Sequence, residues 1–242
     1  MQKPVSQTDN LFNLNFSEDE KIGLTSQETL RRVVGVLGML LPVLLWVFVF
    51  VDNGHAEPLD SISHYYFTRV GSIFCVVVSL LAIFLMIYKG KEPMDFYLSF
   101  TAGIFAFFVI LFPTDNITQL CCDADKSYSV TQLKISSFRT TFHYISAAVF
   151  LLCLAIMSIF VFTKSNKVPA AMTRNKRKRN LIFHICGWLM IAALVTIFTA
   201  GFLGWMPDDL YNKYHITFWM ETLAIEAFGI SWLVKGKMFI KD

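Results

Sequence analysis

Ser61-Ile62-Ser63-His64-Tyr65-Tyr66-Phe67-Thr68-Arg69 gathers hydroxyls, an imidazole, two phenols and a guanidinium between two apolar runs that carry no charge. Polar groups set beside hydrocarbon-spanning helices either satisfy one another or hold the polar head of a molecule arriving from lipid or water. Further along, Asp115 follows Phe112-Pro113-Thr114, where proline stops a helix and leaves an acid at its end. Arg139 and His143 are four residues apart and share a helical face, with the small residues Ser146 and Ala147 continuing it. His215 lies at the start of the last apolar run, within which Glu221 and Glu226 fall. At about 1.5 Å per residue they lie about 20 Å and about 12 Å from its inner end, both within hydrocarbon.

Three chemistries fit these residues. The first is an outward-facing pocket of Ser61, Ser63, His64, Tyr65, Tyr66, Arg69, Asp115, Arg139, His143 and Glu221 that recognises a lipid headgroup or small amphiphile. Arg69 and Arg139 would grip phosphate or carboxylate through paired donors, with Tyr65, Tyr66 and Trp219 along the acyl boundary. The second is a membrane-embedded hydrolase acting on a lipid at the outer leaflet: His64, Asp115, His143 and His215 as zinc ligands, Glu221 as general base, and a metal-bound water as nucleophile. A serine mechanism through Ser63 and His143 ranks below it, lacking the strand-to-helix elbow that exposes such a serine. In the third, structural reading Arg69, Arg139, Asp115 and Glu221 pair with one another and the histidines cap helix ends. Phe218, Glu221, Thr222, Ile225 and Gly229 share one stripe, so Glu221 is expected to face the bundle, coupled to His143 or an arginine, while Glu226 falls off that stripe.

The elements that position these groups follow from composition. Hydrophobic residues make up 55% of the 242, aromatics 15% and charged residues only 16%, and the mean hydropathy is +0.53. This is membrane-protein usage. Six unbroken apolar runs, 33–51, 70–88, 96–112, 142–162, 181–203 and 214–234, predict an all-α bundle of six transmembrane helices within residues 26–237. Polar tails at 1–25 and 238–242 flank it. Of the 21 Lys and Arg residues, 16 fall on one side of that alternation, so both termini are expected in the cytoplasm and the Ser61–Arg69 stretch outside. The basic run Arg174 to Arg179 reads as a loop that fixes topology and touches anionic headgroups, with no call for nucleic acid.

Thr25 and Glu28 have capping-box spacing, which starts the first helix near Ser26; Gly35 and Gly38 favour close helix approach, and Pro42 predicts a kink. Three of the five cysteines lie in spans and leave no disulfide framework beside Cys121-Cys122. Asp123, Asp125 and Ser127 imitate half a calcium loop, but Tyr128 occupies the glycine position and Lys134 that of the closing glutamate. No inverted repeat suggests a transporter.

Ser61-Ile62-Ser63 with Tyr65-Tyr66 follows the first span, Phe112-Pro113-Thr114-Asp115 the third, His143-Tyr144-Ile145-Ser146-Ala147 lies in the fourth, and Phe228-Gly229-Ile230-Ser231-Trp232-Leu233-Val234-Lys235-Gly236 ends the sixth. Together they resemble a group of bacterial six-span membrane proteins related to the DRAM and FGF-receptor-activating-protein superfamily. That resemblance covers most of the chain from Leu30 onward. It implies a six-helix fold in the inner membrane with outer-face Asp and His, in families tied to lipid or glycolipid handling.

Overall fold

The computed structural model describes residues 27–88, 93–117, 129–164 and 173–240. Among these the chain is helical, with one isolated bridge between Thr68 and Ser129 and no strand. The long helices are α1 (Gln27–Asn53), α2 (Gly71–Ile87), α3 (Pro93–Leu111), α4 (Ser137–Ile156) and α5 (Arg174–Thr196). A short α6 (Asp208–Lys213) leads into α7 (Ile216–Lys235). Single π turns, Met157–Val161 and Ile197–Phe202, extend α4 and α5. Helices dominate because each apolar run must satisfy its backbone groups within itself once water is excluded.

Four of these elements are long and apolar enough to cross a bilayer: Glu28–Asn53, Pro93–Leu111, Ser137–Val161 and Arg174–Phe202. The protein is membrane-embedded. Exposed Val51, Val76, Ile87, Trp188 and Val195 supply an apolar outer surface suited to lipid. Helix α2 is apolar but spans 17 residues, and α7 is interrupted by its two glutamates.

Each long helix packs on its sequence neighbour, and α7 packs on both α5 and α1, so the six long helices form a closed ring. Side-chain ties show that successive helices run in opposite directions. At one end Arg31 reaches the Tyr88 hydroxyl, Arg32 donates to Gly236 O, and Lys235 and Lys176 both donate to Phe162 O. The 62–67 turn, Asp115, Arg139 and His215 gather at the other. The seam between α1 and α7 depends on missing side chains: a Cβ on Gly35 would meet Gly229 O at 2.8 Å, and one on Gly229 would overlap Met39.

Several sequence expectations shift. Arg174 to Arg179 form the first turns of α5 rather than a loop, capped by Thr173, whose hydroxyl accepts from Lys176 N. Arg179 is buried and donates to Ile240 O. The expected cap at Thr25 and Ser26, and the 118–128 segment with its cysteines and half calcium loop, lie outside the described residues.

Candidate functional site

The end that carries the predicted polar residues is organised by a 3-10 turn, Ile62–Phe67, capped by Ser61 in extended conformation. A serine at the cap answers an otherwise orphaned amide: Ser61 Oγ accepts from His64 N at 3.3 Å. The turn is held by what it buries. Tyr65 is fully buried, its hydroxyl accepts from Leu59 N, and its ring lies 6.1 Å from that of Phe218. From α7, Phe218 N donates to Asp60 O at 3.0 Å. Ile62 N donates to Glu221 Oε2 at 2.7 Å. The half-buried Glu221 of α7 is thus the anchor of this turn.

The predicted pocket separates into three groups. In the first, Ser61 Oγ lies 3.1 Å from His64 Nδ1, and His64 Nε2 lies 3.8 Å from Asp115 Oδ1. Asp115 Oδ1 also accepts from Thr114 Oγ1 at 2.8 Å and from the Tyr144 hydroxyl at 2.9 Å. Burial pushes the His64 imidazole below its ordinary range, outweighing the opposite pull of Asp115 and Asp60. Burial acting alone would raise Asp115; the bond from Thr114, the nearby His64 and the bond from Tyr144 together hold it below the usual carboxylate value. At neutral pH the pair is therefore a neutral imidazole beside an ionised carboxylate.

The second group serves helix ends. Arg139 Nε, Nη1 and Nη2 donate to the carbonyls of Pro113, Lys134 and Thr114. His143 is buried, with Nδ1 2.9 Å from Phe112 O and 3.2 Å from Val109 O; those two carbonyls assign the proton to Nδ1. Both side chains close the C-terminal end of α3, whose last carbonyls have no helical partner. Arg69 is exposed and lies 3.5 Å from Asp52. Neither arginine is therefore placed to grip an anion in a shared pocket, and Tyr66 packs edge-on against Phe67. Nor do Arg69, Arg139, Asp115 and Glu221 pair with one another, as the structural reading expected.

The third group is a cavity of about 50 Å³ beneath the turn. Its walls are apolar, from Leu41, Phe74, Val109, Phe150 and Phe228 among others, and its polar lining is Ser63 and Glu221. Glu221 is coupled to the Ile62 amide rather than to His143 or an arginine. Its second oxygen makes no hydrogen bond within the described chain, and the residue lines the cavity. Glu226, as expected, is elsewhere: half-buried and absent from the cavity lining.

The zinc set does not assemble. His215, in a left-handed conformation at the start of α7, lies 3.3 Å from Asp60 and 3.8 Å from Glu57, and His143 is committed to α3. Among the described residues no three His, Cys, Asp or Glu side chains gather to hold a metal ion. Set against family models, curated proteins and solved structures, the chain matches none of them.

Two features escaped the sequence. A backbone amide as the partner of Glu221 has no residue signature. The Ser61–His64 contact had one, the three-residue spacing of a cap and its third helical position.

Proposed function

We propose that this is a six-span membrane protein, with both termini cytoplasmic, whose outer-half cavity recognises the donor-bearing end of a small amphiphile. One observation carries this reading: a glutamate that lines an apolar cavity, with one oxygen spent on Ile62 N and the other making no hydrogen bond among the described residues. A carboxylate and a serine hydroxyl suit an ammonium or hydroxyl group, and the carboxylate disfavours phosphate. Size points the same way. A cavity of about 50 Å³ has room for roughly three water molecules and is well below the roughly 150 Å³ that takes benzene. An ammonium or hydroxyl fits that space; a phosphate-bearing headgroup does not.

Octylamine, octanol and octanoate, titrated into protein in a neutral maltoside detergent, test it by thermal shift. The amine and the alcohol are expected to raise the melting temperature saturably, and octanoate to leave it unchanged. Equal shifts with all three, or none with any, would remove the proposal.

Orientation is tested separately. Single cysteines replacing Ser127 and Ala171, in a chain lacking Cys121 and Cys122, are treated with an impermeant thiol reagent on intact cells. Labelling at 127 alone is expected; labelling at 171 would invert the topology. In this orientation the exposed Arg174, Arg177 and Lys178 of α5 meet anionic headgroups on the cytoplasmic side.

A further inference from the structure

The Ser61, His64 and Asp115 group does not line the cavity and has a geometry of its own. Three contacts fix it. His64 N–H donates to Ser61 Oγ at 3.3 Å, so the serine oxygen is already an acceptor and its own hydrogen is free to point elsewhere. The other side of that oxygen faces His64 Nδ1 at 3.1 Å. For Nδ1 to accept, the ring proton must sit on Nε2, and Nε2 faces Asp115 Oδ1 at 3.8 Å. The carboxylate is oriented in turn by Thr114 and Tyr144.

We infer that Ser61 is a nucleophile, with His64 as its general base and Asp115 as the group that holds the base in the correct tautomer, acting on carboxylic esters of amphiphiles at the membrane surface. The roles are those of a serine hydrolase assembled on one turn and one helix end. Ser61 Oγ attacks the ester carbonyl carbon while its proton passes to His64 Nδ1. The ester C–O bond then breaks, and His64 returns that proton to the departing alcohol. Water repeats the sequence: His64 takes its proton, its oxygen displaces Ser61 from the acyl carbon, and the serine regains a proton as the carboxylic acid leaves. No co-reactant beyond water is needed. The 3.8 Å separation of His64 and Asp115 is long for a hydrogen bond, and such contacts commonly tighten when substrate binds.

The setting selects the substrate class. Ser61 is buried, whereas the Asp115 side chain is 46% exposed, so the group reaches the surface of the bundle end through Asp115. Trp46 and Trp219, 5.9 Å apart, mark the same end with the amphipathic aromatics typical of a membrane interface. Esters presented there are those of lipids and other amphiphiles.

This inference stands apart from the cavity reading, and its test does not involve Glu221. Detergent-purified protein is treated with an alkyl fluorophosphonate, and the modified peptide is identified by mass spectrometry. Wild-type protein is expected to carry one adduct, on Ser61. Ser61→Ala should lose it. His64→Gln should label about a hundredfold more slowly, while the melting temperature reports whether that variant is folded. A wild-type protein without an adduct at Ser61 overturns the inference whatever the variants do. Labelling at an unchanged rate in folded His64→Gln overturns it as well, because His64 would then be only part of the helix cap.

Discussion

Gly229→Val is expected to be strongly destabilising. A Cβ at this position overlaps Met39 and meets Gly35 O at 2.8 Å. The second obstruction is backbone, so it cannot be relieved by a change of rotamer. A substitution that adds a side chain to a well-packed seam costs about 1–3 kcal/mol. Helix α7 packs on both α1 and α5 to close the ring, so the effect should lie at the upper end. Replacing an interior helical glycine with a better helix former recovers at most about 1 kcal/mol, and β-branched valine recovers less. Thermal unfolding in detergent should show a large drop for Gly229→Val and a similar one for Gly35→Val, whose Cβ meets Gly229 O. Gly54→Val should behave differently: its Cβ would meet nothing within 4 Å, so its cost is confined to the positive φ. Equal melting temperatures for Gly229→Val and wild type would mean that α1 and α7 do not pack as described.

This seam was partly legible in the sequence. Gly35 and Gly38 stood out in an apolar helix and pointed to close approach, and Gly229 fell on the bundle-facing stripe of the last span, although nothing there paired it with Gly35. The helices themselves were legible because unbroken apolar runs of this length have few other folds in lipid. Helix α7 was less so, with two glutamates in what the hydrophobic pattern required to be a span.

The site was legible as a list of residues and not as an arrangement. Arg139 and His143 were correctly placed on one face, yet both turn to the carbonyls at the end of α3. Helix-end carbonyls are strong acceptors in surroundings of low polarity, and every sequence presents the same ones, so their claim on nearby donors is invisible in residue types. Arg69 found Asp52 at the facing helix end instead of a ligand. The contact between Ser61 and His64 is local and could be read from spacing, whereas Asp115 joins them only because α3 ends beside the turn.

The second large effect concerns Glu221. In Glu221→Gln the side-chain carbonyl can still accept from Ile62 N, so the clamp between α7 and the 62–67 turn survives and the melting temperature should change little. The carboxyl group that lines the cavity becomes a neutral amide. A hydrogen bond to a charged group is worth about 1.5–3 kcal/mol, which corresponds to a loss of about tenfold to about a hundredfold in affinity for an ammonium ligand. Glu226→Gln removes a carboxylate that makes no hydrogen bond or ion pair among the described residues and does not line the cavity. It should leave binding intact.

Octylamine titration of wild type, Glu221→Gln and Glu226→Gln, read by thermal shift in maltoside, tests the cavity carboxylate most directly. Saturable stabilisation of wild type and Glu226→Gln, with the response of Glu221→Gln moved to at least tenfold higher amine concentration, is the expected result. A Glu221→Gln protein that melts well below wild type yet responds to octylamine at the same concentration would contradict it, and would leave Glu221 as a structural clamp for the 62–67 turn.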